Sequence, residues 1–249
     1  VNIILLVIAV TLFGWTCGAI INYVADVLPI SRKLVTADCP NCNAKISISR
    51  YLSLSKCPAC SQGFSIRHLL TQVAFALIFG ILASASRVDI IQLLQNLVVV
   101  VFFGLVIIID IEHHLILHVV SLVGAVIMFI IGTVNHGWME TLIGGAVGLG
   151  VMIILYLIGY FFSKALSKKR DEDVEEGLGF GDVLLSFVIG LLLGWPGISI
   201  GLFFGIFLGG IWSLGLVIVT TLQKKYEPFM AIPYGPFLAG AAMLFWLFR

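Results

Sequence analysis

Two sets of residues in this chain have the types and spacing for chemistry. One is four cysteines in two close pairs, and the other is two aspartates that each stand at the edge of an apolar run. Cys39-Pro40-Asn41-Cys42 and Cys57-Pro58-Ala59-Cys60 form the pattern C-x2-C-x14-C-x2-C. Two residues between thiolates let a tight turn aim both sulfurs at one ion, and two such turns complete a tetrahedral site. With cysteine at all four positions no coordination site stays open, so the expected ion is a structural zinc. The alternative is a redox-active or unmetallated set of pairs. A fifth cysteine, Cys17, lies inside an apolar run and is expected to pack as a small hydrophobe.

Asp110 closes the run Val100 to Ile109, and Asp182 ends Gly179-Phe180-Gly181-Asp182. An ionisable group beside hydrocarbon is costly, so an acid at a membrane boundary points to function. Gly179 and Gly181 on either side of Phe180 let the backbone turn closely and bring the carboxylate against a neighbouring helix or a substrate strand. Two carboxylates placed together cannot both ionise readily and share a proton. That pair can hydrolyse a peptide bond without a metal or a covalent nucleophile: one carboxylate takes a proton from water, and the other donates to the carbonyl oxygen. Glu112, His113, His114 and His118 follow Asp110 and read as an interfacial turn, with Glu112 in a supporting role at most. No serine stands in a nucleophile-elbow context.

The elements that must position these residues are membrane helices. The 249 residues are 60% hydrophobic and 11% charged, with mean hydropathy +1.14, where a soluble domain carries roughly 25% charged residues. Apolar runs occupy Ile3–Tyr23, Leu69–Ala85, Ile90–Ile109, Val119–Val134, Trp138–Phe162, Val183–Leu193, Ile198–Leu222 and Phe229–Phe248. Gly194-Trp195-Pro196-Gly197 divides what would otherwise be one long run. The expected fold is therefore an all-α polytopic membrane protein of about eight transmembrane helices, with a small cytoplasmic zinc-ribbon insertion after the first. Ile3–Tyr23 lacks a basic start and is too long for a signal-peptide core, so it reads as a membrane helix. Residue 1 is Val, and a residue or two is expected to precede it.

Charge sets the expected orientation. With the N-terminus outside, twelve of the 14 basic residues fall in inner segments, leaving Arg87 and Arg249 outside. Both polar insertions, 25–68 and Ser163 to Gly177, are then cytoplasmic, and both aspartates lie at that face. The second insertion, which includes SKKRDEDVEEG, reads as a solvated, mixed-charge loop. The expected division is 1–24 for the first helix, 25–68 for the tetracysteine segment and 69–249 for the membrane domain holding the aspartates. Few and scattered basic residues give no support for nucleic-acid binding.

These motifs together resemble the bacterial type IV prepilin peptidases, membrane aspartic proteases of the GxGD class. Gly18-Ala19-Ile20-Ile21-Asn22-Tyr23 with Leu28-Pro29 is similar to that family's first-helix signature, and the two CxxC pairs to its zinc-binding segment. Ile109-Asp110-Ile111-Glu112-His113-His114 and Gly179-Phe180-Gly181-Asp182 match its two aspartate motifs, and Ile232-Pro233-Tyr234-Gly235-Pro236-Phe237-Leu238 its last-helix signature. The resemblance implies catalysis by Asp110 and Asp182, at the cytoplasmic face of a bacterial inner membrane. It implies type IV prepilins or pseudopilins as substrates, lipid as surroundings, and in many members N-methylation with S-adenosylmethionine. The chain departs from the family at Gln72, where an acid is common. It departs again at Leu117-His118, where a Pro-Asp or similar pair is usual, and at Leu184, where Lys is usual. These departures leave the aspartate pair intact and bear on methylation. Two rivals remain. One is a proton-coupled transporter or channel, which would place its acids near mid-membrane in facing repeats. The other is an inactive relative that only binds its substrate.

Overall fold

The computed structural model describes residues 3–39, 41–85, 89–170, 179–223 and 234–249, without the side chains of 162 and 165–170. Arg87, the acidic run 171–177, Lys224, Lys225, Ile232 and Pro233 lie outside the described residues, as do the side chains of Lys168, Lys169 and Arg170. The chain divides into two units, residues 1–105 and 106–249.

The first unit holds α1 (Ile3–Ser31), a short hairpin of β1 (Ala37–Asp38) and β2 (Lys45–Ile46), α2 (Ile48–Ser53), α3 (Ile66–Ala85) and most of α4 (Ile90–His113). Helices α1 and α3 pack closely because small residues face large ones. A Cβ added at Gly18 would lie 2.7 Å from the Cα of Gln72. Where lipid removes the hydrophobic drive between helices, such close backbone approach supplies the packing energy. Helix α1 runs on to Ser31, two turns past the end of its apolar run at Tyr23. Packing explains the extension. Ala19, Tyr23 and Val27 join Ala37, Cys39, Ile46, Tyr51 and Cys57 in one buried cluster, so the end of α1 is the floor on which the tetracysteine segment rests.

The second unit holds the end of α4 followed by α5 (His118–His136), α6 (Trp138–Arg170), α7 (Phe180–Leu193), α8 (Gly197–Leu222) and α9 (Gly235–Leu247). Its centre is α7, which packs against α5, α6, α8 and α9. Val183, Leu185, Ser186 and the whole stretch Val188 to Leu193 are buried, as expected for a helix apolar on every side. At its closest approach to α6, a Cβ on Gly190 would stand 2.7 Å from the carbonyl carbon of Gly144. Gly194 turns the chain with φ +62°, and the Trp195 N–H donates to the Glu140 carbonyl at 3.0 Å, so the expected break between two helices is present. Outward-facing Phe203, Phe204, Phe207, Ile211 and Trp212 on α8 are exposed, a surface suited to lipid.

Among the described residues, six helices are long and apolar enough to cross a membrane, and α7 and α9 are shorter apolar helices. The chain is a multi-pass membrane protein, mostly helical, with the four-cysteine segment after its first helix. One expectation needs correction. The polar stretch from Ser163, read as a loop, continues α6 to Arg170. Ala, Leu, Lys and Arg are strong helix formers, and cations in a last turn are favoured by the helix dipole, so local propensity prevails there over polarity.

Candidate active site and candidate metal centre

Asp110 occupies the last turn of α4 and is 5% exposed; Asp182 occupies the first turn of α7 and is 8% exposed. Helix α4 ends because His114 takes a left-handed φ of +48°, its N–H returning to the Asp110 carbonyl at 2.9 Å. Helix α7 begins at Gly179, whose carbonyl receives the Asp182 N–H at 3.1 Å. A carboxylate in a first turn is favoured by the helix's positive end. Asp182 is close enough to Asp110 and to Tyr234 to interact with both through charge. The Oδ2 of Asp110 is buried and has no hydrogen-bond partner among the described residues.

The two motif glycines differ. Gly179 has an ordinary extended conformation, and a Cβ there would come no closer than 3.6 Å to its nearest neighbour, the Oδ2 of Asp182. Gly181 is confined: its Cβ would lie 2.7 Å from the Cβ of Ile116. Gly235, at the start of α9, is confined by the site itself, since a Cβ there would be 2.7 Å from the Oδ2 of Asp110. Tyr234 beside it donates its hydroxyl to the Ile206 carbonyl at 2.8 Å, tying the start of α9 to α8. Phe180 stacks on His118 with centroids 6.3 Å apart and meets Tyr156 edge-on at 6.1 Å. Glu112 is exposed, as are His113 and His114.

Sequence reasoning did not find Ile116. The only signal was an apolar triplet, Leu115-Ile116-Leu117, in a turn otherwise rich in histidine.

The first unit holds the four cysteines. Their sulfurs all lie within 4.8 Å of one another, with Cys39–Cys60 and Cys42–Cys57 each at 3.6 Å. Tetrahedral zinc thiolates at 2.3 Å place sulfurs about 3.8 Å apart, so the arrangement fits zinc. The two turns repeat one design. The Cys39 N–H donates to Ala44 and the Asn43 N–H to Cys39; the Cys57 N–H donates to Gln62 and the Ser61 N–H to Cys57. Asn43 and Ser61 carry matching left-handed φ values of +56° and +58°.

Backbone N–H groups of Cys60 and Ala59 hold the Cys57 thiol down at about 6, and those of Asn41 and Cys42 hold Cys39 below its usual value. The Ala44 N–H favours ionised Cys42, but the sulfurs of Cys60, Cys57 and Cys39, together with burial, push it up to about 12. Four crowded thiols cannot all ionise by themselves; a cation at their centre removes that conflict.

A polar network beside this segment was also missed from sequence. Asp26, near the end of α1, pairs with Arg67 and accepts from Tyr51 Oη at 2.8 Å, and His68 Nε2 lies 3.0 Å from its Oδ2. Gln72, fully buried, donates to the Tyr51 carbonyl at 2.6 Å. The network fastens α2 to α1 and α3.

Residues 97–214, a stretch containing both aspartates, match the Type IV leader peptidase family. The chain is similar to the prepilin leader peptidase/N-methyltransferase of Aeromonas salmonicida strain A449, 32% identical over 115 residues. It is similar also to the Aeromonas hydrophila protein of that name, 31% identical over 115 residues. Each match takes in 43% of this chain and 36% of the relative's length. No solved structure matches the chain.

Proposed function

With residues 97–214 assigned to the Type IV leader peptidase family, we propose that this membrane protein is an aspartic endopeptidase that removes the leader of type IV prepilins or pseudopilins. The observation that carries the proposal is the burial of Asp110 and Asp182 at two helix ends within electrostatic reach of each other. The pair shares one proton. The ionised carboxylate takes a proton from water as the water oxygen attacks the scissile carbonyl carbon, and the protonated carboxylate donates to the carbonyl oxygen. Collapse of the tetrahedral diol breaks the C–N bond, and the leaving nitrogen receives a proton from the pair.

Cys39, Cys42, Cys57 and Cys60 would hold a zinc ion, which with four thiolate ligands supplies folding energy and no open catalytic position. The bias of basic residues supports a cytoplasmic location for this segment and for both aspartates in a bacterial inner membrane. N-methylation, which the relatives' name includes, is a separate activity, with S-adenosylmethionine as the expected methyl donor, that the same experiment reads.

That experiment incubates the purified protein with a prepilin-type peptide and S-adenosylmethionine and follows the peptide's mass. Cleavage at the leader junction is expected, abolished by Asp110→Asn or Asp182→Asn in folded protein. Wild-type cleavage by Asp182→Asn would overturn the proposal and advance the transport or binding-only readings. A further gain of one methyl group on the new N-terminus would establish the second activity.

A further inference from the structure

Ile116 lies in the turn between α4 and α5 and is 7% exposed. It touches the surroundings of both carboxylates with opposite ends of one side chain. Its Cβ end bears on Gly181, the residue before Asp182, where an added Cβ would meet it at 2.7 Å. Its Cδ1 end bears on Gly235, where an added Cβ would stand 3.2 Å from Cδ1 and 2.7 Å from Asp110 Oδ2. The same turn grips the other side of the motif, because His118 stacks on Phe180. Gly181 lets the backbone close onto Ile116, and Gly235 lets it close onto Asp110 Oδ2 first and onto the same isoleucine second.

We propose that Ile116 is the spacer that sets the separation of the Asp110 and Asp182 carboxylates, a positioning residue for the hydrolysis. Asp182 is held at the start of α7 by the distance between Gly181 and the Ile116 Cβ. Asp110 is held by the seat of Gly235 on the Ile116 Cδ1. A β-branched side chain suits the task, since its χ1 is stiff and both ends are fixed together. The proposal rests on the peptidase reading for its consequence but not for its geometry.

The test is a series in the full-length protein: Ile116→Val, Ile116→Ala, Gly181→Ala, Ile116→Gly, and Gly181→Ala combined with Ile116→Gly. Ile116→Ala is expected to lower kcat on a prepilin-type peptide by about 100-fold with KM little changed, the scale of effect for misplacing reacting groups by about 1 Å. Ile116→Val keeps the Cβ and Cγ atoms that face Gly181 but lacks the Cδ1 that seats Gly235, so its rate should fall between those of Ile116→Ala and wild type. Gly181→Ala should fall as far as Ile116→Ala, and removing the opposing Cβ with Ile116→Gly should restore a measurable part of that loss.

The readout that a merely structural role would not move is the pH profile. A changed carboxylate separation alters the spacing between the two limbs of the bell, whereas a smaller folded fraction lowers the curve without moving its limbs. The same profile is read without substrate by carbodiimide modification of Asp110 and Asp182, followed by mass. If wild-type protein does not cleave the peptide, the peptidase reading fails, and the modification profile still decides the spacer. An Ile116→Ala protein with wild-type limbs in that profile overturns it, as does a double variant no better than Gly181→Ala alone.

Discussion

The two units of this protein solve the same problem, the holding of reactive side chains together, by different means. In the first, four sulfurs and the Asp26–Arg67–His68–Tyr51 network lie outside the apolar parts of the helices, on a small cluster of buried side chains. Little core is available there, so much of the order must come from polar bonds, and a metal at the four sulfurs would add to it. In the second, Asp182 opens the buried helix α7, and Asp110 stands in the last turn of α4 with an Oδ2 that has no hydrogen-bond partner among the described residues. Backbone bonds inside membrane helices are complete without any ligand. The contrast implies that the first site can be dismantled chemically, and the second only by changing shape or charge.

The sharpest break of that contrast is on the second side. Asp110→Asn or Asp182→Asn should lower peptide cleavage by orders of magnitude while the helical signal and thermal transition stay near wild type. The double variant should be scarcely worse than either single one, since the two act as a unit. Kinetics and circular dichroism on the same preparations check this. A large loss of helix with either variant would mean that the carboxylates are structural.

On the first side, metal analysis should find about one zinc per chain, and Cys57→Ser should remove it. Limited proteolysis should then open the segment around residues 41–64 while fragments of the second unit persist. Uptake by metal-free protein should weaken as the pH falls, and more steeply below about 6, where Cys57 joins the other thiols in taking up protons. Thiolates are the ligands, and protons compete for Cys57 in that range. A reproducible absence of zinc, or a disulfide between the pairs, would remove the metal from the account.

A smaller effect is expected from the network. Tyr51→Phe removes one hydrogen bond to a charged acceptor, so it should destabilise the first unit by about 1.5–3 kcal/mol. Thermal unfolding followed by proteolysis would show it. The smallest effect should come from Glu112→Gln. Its side chain is exposed, and a change within a few-fold of wild-type cleavage is expected. A loss rivalling that of Asp110→Asn would move Glu112 into the reacting set.

What was legible in the sequence follows from which interactions are local. Apolar runs of membrane length announce the helices, because the requirement for satisfied backbone bonds acts residue by residue. The CxxC pairs announce a tetrahedral site because each turn is complete in four residues. Helix ends were less legible. Val27 remains helical because of the cysteine segment it supports, and the Lys-rich end of α6 because its residues favour helix. Ile116 was not legible at all. Its importance lies in touching Gly181 and Gly235, which are 65 and 119 positions further along, and no spacing rule connects them. The pairing of Asp26 with Arg67 and His68 was hidden in the same way.

The brevity of α7 has a further consequence. Fourteen residues of helix rise about 21 Å, well short of the roughly 30 Å hydrocarbon thickness of a bilayer. A helix so short cannot carry both of its ends to the headgroups, and since α5, α6, α8 and α9 pack around it, protein rather than lipid meets the end that falls short. The depth at which Asp182 stands, in the first turn, is then set by the helices packed around α7. Reconstitution into bilayers of increasing acyl length should therefore leave the proposed peptide cleavage within a few-fold of its rate in shorter lipid.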